Sequence, residues 1–370
     1  MSKVSETTLE INLSALKANF DFLKSKIDGE TLFLAVVKAF AYGSDAAVIA
    51  NFLQKLGADY FAVAYISEGI HLRSAGITKP ILVLHPQIEN FELAIENALE
   101  PSLYSPKTLK AFEKVVAAAN IKNYPVHIKF NTGLNRLGFE PSEVETVIGR
   151  LKNSPGLKVR SVFSHLAASE DLEEKKFTTL QIDKYRSISK KFTDGFEHPI
   201  IRHLCNTSGV LNYPKAHFDM VRCGIGLYGY GNSKKEAANL VPVASLKSII
   251  SQIIEVSSGE SVGYNRDHFC ATDSRIATIP IGHADGIGRQ YGCGAGTVSV
   301  NQQKAPIVGN VCMDMIMIDV TSIRCQEGDE VLIFGAGAGF SAEAVAESTN
   351  TISYELITAV SQRVVRKIIS

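Results

Sequence analysis

Lys38 closes the apolar run Leu32-Phe33-Leu34-Ala35-Val36-Val37 and opens the segment Lys38-Ala39-Phe40-Ala41-Tyr42-Gly43. A run of that length and β-branched content reads as a buried strand, so this lysine stands where a strand leaves a core. An unpaired ammonium is costly to desolvate. A lysine in such a place either reaches water or, with a lowered pKa, forms Schiff bases with carbonyl groups. Other segments offer compatible chemistry. Lys129 precedes the loop Asn131-Thr132-Gly133-Leu134-Asn135-Arg136-Leu137-Gly138, which carries Arg136. His165 follows Arg160–Ser164, and two further loops read Asn206-Thr207-Ser208-Gly209 and Arg222-Cys223-Gly224-Ile225-Gly226. The hydroxyl, amide and exposed backbone N–H groups of the last two suit an anion. Each is ordinary alone, since a single histidine is more often structural and glycine-rich segments are usually turns. Together they describe a site for a phosphorylated aldehyde that Lys38 holds as an imine.

These groups need a frame that brings them to one place. Strand-like runs recur at Leu32–Val37, Tyr60–Ala64, Ile81–Leu84, Leu99–Leu103, Val126–Phe130, Arg160–Ser164, Ile200–Leu204 and Asp219–Arg222. Amphipathic segments such as Ala46–Leu56, Lys107–Ala119 and Pro141–Leu151 lie between them. Eight strands alternating with helices is the count of a (β/α)8 barrel, which takes about 250 residues and places its chemistry at the C-terminal ends of the strands. A doubly wound open sheet is the alternative, because alternation alone does not reveal closure. Lys38, Lys129, His165, Asn206 and Arg222 all fall at or just beyond strand ends, as the barrel requires.

A polar stretch at Gly231-Asn232-Ser233-Lys234-Lys235-Glu236 marks the expected boundary between a barrel over residues 1–234 and a β-rich domain over residues 235–370. In the second part the strand-like runs are Ala244–Val256, Ser274–Ile281, Gly296–Val300 and Met315–Val320. Val331-Leu332-Ile333-Phe334 leads into Gly335-Ala336-Gly337-Ala338-Gly339, which imitates a dinucleotide fingerprint. Phe340 stands where the third glycine belongs and no strand with an acidic ribose partner follows, so the segment reads as a flexible connection.

Composition narrows the class. Lysine plus arginine and aspartate plus glutamate are 38 each in 370 residues, so nothing points to nucleic acid or an acidic membrane surface. The 45% hydrophobic content suffices for two cores. Six cysteines without metal-ligand spacing fit reduced thiols. The start, Met1-Ser2-Lys3-Val4-Ser5-Glu6, has no apolar signal core, and no stretch is long enough to span a bilayer. A soluble, cytoplasmic protein is expected.

The motifs around Lys38, Asn131–Gly138 and Val221–Gly229 resemble those of the alanine racemases. So do Val262-Gly263-Tyr264, Gly282-His283-Ala284-Asp285-Gly286, Cys312-Met313-Asp314 and Thr351-Ile352-Ser353-Tyr354-Glu355, in order, from near residue 7 to the C-terminus. The resemblance implies a pyridoxal 5′-phosphate (PLP) enzyme that interconverts L- and D-alanine and so supplies D-alanine for peptidoglycan. It implies a homodimer with shared sites, in which Lys38 and Tyr264 of the other subunit are the two bases and Met313 of that subunit offers its backbone to the substrate carboxylate. By the same resemblance, Tyr42, Thr207 and Tyr354, with the backbone of Gly224 and Ile225, hold the phosphate. Arg136 lies near the cofactor's phenolic oxygen and the substrate carboxylate, His165 and Arg222 stand near the tyrosine base, and Asn206 belongs to the same rim. Arg222 faces the pyridine nitrogen; a group that does not give up its proton leaves that nitrogen bare and the ring a weak electron sink, favouring simple proton return. Some relatives carry a carbamate on the lysine equivalent to Lys129, and the sequence leaves either state open.

Four positions depart from the usual pattern: Asn131 for Asp, Thr207 for Ser, His283 for Tyr and Asn310 for Arg. His283 and Asn310 bear on substrate specificity, so a broad-specificity amino-acid racemase is the first alternative. A PLP-dependent decarboxylase of similar layout is the second, opposed by Arg222 where that class places a carboxylate. A non-catalytic PLP carrier is the third, opposed by the whole domain beyond Lys234.

Overall fold

The computed structural model describes residues 6–337 and 339–370; Met1–Ser5, at the start read above for a signal core, and Ala338 of the glycine-rich connection lie outside the described residues. Eight parallel strands close into a barrel: β2 (Leu32–Val36), β3 (Tyr60–Val63), β4 (Ile81–Val83), β5 (Glu100–Leu103), β6 (Tyr124–Lys129), β7 (Leu157–Phe163), β8 (Ile201–His203) and β9 (Met220–Cys223). Closure is made by β9 beside β2, with Met220 opposite Leu32 and Cys223 opposite Ala35. This removes the open-sheet alternative. Each of the eight runs read from the sequence overlaps one of these strands; β6 and β7 begin before their runs, and β9 ends one residue beyond its run.

Local chemistry sets where the outer helices begin. Asp45 Oδ1 accepts from Val48 N at 3.0 Å to cap Ala46–Leu56, and that helix ends at Gly57 with φ of 96°. Ser105 and Thr108 bond reciprocally at the start of Pro106–Ala118, where a proline at the first position loses no helical hydrogen bond. The apolar faces of both helices are buried in one continuous core.

The second domain is a nine-stranded sheet in the order β11-β14-β17-β16-β15-β18-β10-β1-β19. Its strands are β1 (Thr8–Asn12), β10 (Ala244–Ile249), β11 (Gln252–Val256), β14 (Ser274–Ile279), β15 (Thr297–Val300), β16 (Gln303–Val308), β17 (Ile316–Asp319), β18 (Glu330–Phe334) and β19 (Val365–Ile369). A small ribbon of β12 (Ser261–Val262) and β13 (His268–Phe269) stands apart. Two details differ from the sequence reading. The first strand of the chain does not serve the barrel: β1 lies between β10, antiparallel, and β19, parallel. Buried Glu10 on β1 meets Lys247 of β10 at 2.9 Å, a partner 237 positions away that no local pattern reveals. The run Ala244–Val256 is two strands, because the chain leaves β10 at Ile250 and pairs again as β11 against β14. The strand before the glycine run, β18, lies between antiparallel neighbours β10 and β15, so no dinucleotide crossover is built there. No helix among the described residues is long and apolar enough to cross a membrane.

The two domains meet at the barrel rim. Arg366 donates to the carbonyls of Gly43 at 2.9 Å and Ser44 at 3.2 Å, tying β19 to the turn after Lys38. A Cβ on Gly43 would lie 2.0 Å from the Ile357 carbonyl oxygen, so glycine permits helix Ser353–Ala359 to seat against that turn. Tyr354 is thereby delivered to the mouth of the barrel.

Candidate active site

After β2 the chain does something few sequences do: Ala39, Phe40, Ala41 and Tyr42 all take φ of 53–54°. Left-handed backbone costs a non-glycine residue about 1–2 kcal/mol, so four in succession must be held from outside. Glu68 Oε1 accepts from Ala39 N at 2.7 Å while its Oε2 accepts from Ala64 N at 2.7 Å, and Arg366 holds the far end. The reversed turn returns Tyr42 over the barrel, where its ring stacks on Tyr228 at 4.4 Å.

Tyr42 lines a cavity of about 570 Å³ with Lys38, Lys129, Arg136, His165, Asn206, Thr207, Arg222, Gly224, Ile225 and Tyr354. Ten of the eleven are residues named above for catalysis or cofactor contact, and Lys129 is the eleventh. The charge of this cavity is its main physical feature. Lys38, Lys129, Arg136 and Arg222 all line it, and among the described residues no aspartate or glutamate does. Burial, with Arg136 nearby, lowers the Lys38 pKa, while Glu68 partly offsets this. Lys129 is pulled down to about 8 by burial and by Arg136, Arg222 and Lys38. Burial and the surrounding cations depress His165 well below its usual range, so its imidazole is neutral.

Arg222 is 4% exposed. Its Nη1 donates to His203 Nδ1 at 2.8 Å, and Nη2 to the carbonyls of Ser164 at 2.7 Å and Leu204 at 2.9 Å. It also lies 3.1 Å from His165 Nδ1. Burial lowers its pKa to about 10, which leaves it a cation at neutral pH. Across the rim, Thr207 Oγ1 accepts from Gly224 N at 3.2 Å and Gly226 N at 3.4 Å. Asn206 Oδ1 accepts from Gly209 N at 2.9 Å and Ser169 Oγ at 2.8 Å, capping the short helix Thr207–Asn212. A Cβ on Gly224 would sit 2.3 Å from Tyr42 Oη, so the glycine is what lets that hydroxyl approach the backbone donors.

Tyr264 and Met313 are not brought to Lys38 in this chain. They are 70% and 63% exposed on the second domain and do not line the cavity. The turn bearing Tyr264 is braced by buried Asn310, whose Nδ2 donates to the Tyr264 carbonyl at 3.1 Å and to Asp267, and whose Oδ1 accepts from Arg289 at 2.8 Å. His283 is exposed, and its backbone N–H donates to the Cys312 carbonyl at 3.0 Å beside Met313. Asn131 organises the loop that carries Arg136: Oδ1 accepts from Gly133 N at 3.1 Å and Asn135 N at 3.0 Å, while Nδ2 donates to Glu140 at 3.0 Å. The sequence reading missed His85, Phe163 and Asn232, which also line the cavity. Asn232 lay in the polar stretch read as a boundary; its place three residues beyond the glycine-rich turn after β9 was the available signal.

Two family models divide the chain between them. The alanine racemase N-terminal domain matches residues 11–232, and the alanine racemase C-terminal domain matches residues 243–368. The chain belongs to the alanine racemase family. It is 36% identical over 367 residues to an alanine racemase of Methanococcus maripaludis, covering 96% of this chain and 97% of that one. It is 37% identical to one of Clostridium perfringens, covering 96% and 94%. Among solved structures, alanine racemase of Clostridium difficile 630 superposes with a TM-score of 0.93 at 32% identity, over 100% of this chain and 97% of that one. The Bartonella henselae alanine racemase, solved with covalently bound pyridoxal phosphate, gives 0.89 at 29% identity over 99% and 100%. An alanine racemase of Bacillus anthracis with bound L-Ala-P gives 0.91 at 31% over 100% and 96%. Racemase-family membership makes this an enzyme of the isomerase class.

Proposed function

We propose that this enzyme racemises alanine with pyridoxal 5′-phosphate, as a homodimer whose sites are shared, and supplies D-alanine for peptidoglycan in the cytoplasm. The observation that carries the cofactor reading is the cavity lined by four cationic side chains and no carboxylate. Such a cavity is costly to assemble unless its ligand brings negative charge, and a phosphate together with an amino-acid carboxylate brings enough. The hydroxyls of Tyr42, Thr207 and Tyr354 and the backbone of Gly224 and Ile225 fit the phosphate. Lys38, with its lowered pKa, is more available as a free amine than an ordinary lysine.

When bound, the cofactor supplies an electron sink that makes the substrate Cα–H bond acidic. The protein does the rest. Arg222, held by His203 and two carbonyls, can only donate, so it would leave the ring nitrogen without a proton and would keep that sink weak. This disfavours the decarboxylase reading. Arg136 orients the substrate carboxylate. Inversion at Cα needs a base on each face. Lys38 serves one face, and Tyr264 of a second copy serves the other, with Met313 of that copy offering its backbone to the carboxylate. The exposure of Tyr264 and Met313, on a part of the second domain that does not line its own chain's cavity, supports the shared site. Asn310, engaged with Arg289, Asp267 and the Tyr264 carbonyl, supports a brace for that turn and gives the broader racemase no specific support.

Chiral analysis of products from a panel of L-amino acids tests the reaction, with D-alanine expected to dominate. Borohydride reduction followed by peptide mapping tests the cofactor, with the pyridoxyl group expected on Lys38. A label on another lysine would overturn the site, and no label would overturn the cofactor.

A further inference from the structure

The barrel interior holds a line of polar side chains that the proposed reaction leaves unused. It begins at Arg222 Nη1, which donates to His203 Nδ1 at 2.8 Å. His203 Nε2 lies 2.8 Å from Ser161 Oγ, which lies 2.5 Å from His127 Nδ1. His127 Nε2 lies 2.7 Å from Glu100 Oε2. Tyr60 Oη reaches the same Glu100 oxygen at 3.3 Å and accepts from Arg160 Nε at 2.8 Å. The residues come from neighbouring strands β9, β8, β7, β6 and β5, with Tyr60 on β3. Ser161, His127 and His203 are fully buried, so water cannot stand in for a lost partner.

With both imidazoles neutral, the two ends of this line fix every proton between them. A guanidinium only donates, so His203 Nδ1 must be bare and its proton must sit on Nε2. That proton goes to Ser161 Oγ, whose own hydroxyl then donates to His127 Nδ1. His127 in turn carries its proton on Nε2 and donates to Glu100, which as a carboxylate only accepts. Reversing any single link sets two donors or two lone pairs against each other in a dry core. Burial and the Arg222 charge hold His203 neutral, as this order requires. Arg222 itself bonds to two carbonyls and two imidazoles, none of them charged. The first formal negative charge along its bonds is Glu100, at the other end of the line.

We infer that Glu100, His127, Ser161 and His203 are positioning residues for Arg222, holding its guanidinium as an oriented donor toward the cofactor ring through one fixed order of protons. This rests on the proposed use of Arg222 against the ring nitrogen. Glu100 acts here without touching the active site.

The test uses the full chain labelled with 15N at histidine and arginine, both cofactor-free and loaded. In the wild type, His127 and His203 are expected as Nε2–H tautomers, with resolved Arg222 guanidinium resonances in both states. Glu100→Gln keeps the shape but presents an amide that donates as well as accepts. The His127 tautomer should become mixed, the Arg222 resonances should broaden, and kcat should fall about tenfold with KM within twofold. Ser161→Ala cuts the line midway, so His127 should keep its tautomer while Arg222 broadens, which carries the test if the first variant does not fold. Tyr60→Phe, which removes only the side arm, should leave tautomers and kcat as in the wild type. Unchanged Arg222 resonances in Glu100→Gln and Ser161→Ala would overturn the inference even if both melt at lower temperature. A wild type that does not racemise alanine would instead refute the proposed reaction, and the cofactor-free spectra would still judge the proton order.

Discussion

Gly224→Ala is the sharpest test of how the phosphate end of the site is built. The new methyl would lie 2.3 Å from Tyr42 Oη and 3.2 Å from Tyr42 Cζ. Tyr42 cannot simply move aside: its ring is stacked on Tyr228 at 4.4 Å and its backbone sits in the left-handed turn. Overpacking of this kind costs about 1–3 kcal/mol of stability. Displacing the hydroxyl also removes a hydrogen bond to a charged ligand, about 1.5–3 kcal/mol, so cofactor affinity should fall by about ten- to a hundredfold. Equilibrium dialysis with pyridoxal 5′-phosphate and thermal melts of the cofactor-free protein separate the two effects. Tyr42→Phe should lower affinity by a similar factor with little loss of stability. The double variant should recover most of the stability that Gly224→Ala loses and none of the affinity, because the methyl then meets space the hydroxyl has vacated. If Tyr42→Phe binds cofactor as the wild type does, Tyr42 is not a phosphate ligand. If the double variant is no more stable than Gly224→Ala, the clash is not with that hydroxyl.

Three other outcomes are expected. Tyr264→Phe should retain cofactor and lose exchange of the L-alanine Cα proton with deuterated solvent, while exchange from D-alanine persists; mixed with Lys38→Ala it should regain some activity, and mixtures that stay inactive despite proven subunit exchange would refute the shared site. Lys129 titrates near 8 in the folded protein against 10.5 ordinarily, so the unfolded chain binds more protons between those values and this group makes stability rise with pH across that window. Lys129→Met should therefore gain most over the wild type below pH 8 and least near pH 10.5, as read by denaturant melts of cofactor-free protein. Asn131→Asp should set a carboxylate against Glu140, cost about 0.5–1 kcal/mol, and raise KM for alanine by loosening the Arg136 loop, with Glu140→Gln in the same chain restoring both.

The barrel was legible because its strands are short, locally patterned runs, each followed by a helix-like or polar stretch. Lys38, Lys129, His165, Thr207 and Arg222 were legible for the same reason, since a parallel barrel turns position at a strand end into position at one rim. What depends on distant pairing was not. Nothing within Thr8–Asn12 says that it joins the second sheet, because its partners are more than 230 residues away. Asn232 hid in a stretch whose polarity resembles a linker. The line from Arg222 to Glu100 hid for another reason: His127, Ser161 and His203 sit inside strands, where a polar residue reads as an exposed face until closure shows that the face is the barrel interior.

The same residues that defeat local reading are those the fold must hold against their preferences. Four non-glycine residues are kept left-handed, four cations share one cavity, and a guanidinium is buried without a carboxylate beside it. Each lowers the stability of the empty protein, and each is held by groups that do not touch the reaction: Glu68 and Arg366 at the turn, His203 behind Arg222. On the proposed use of the cavity, a doubly charged phosphate would relieve the crowding of the cations directly. Ligand binding to the folded state alone stabilises it by mass action, and here the gain includes repulsion that the empty site cannot discharge. On that proposed use, binding of the anion stabilises the folded chain, and the cationic rim is the element through which the two are coupled.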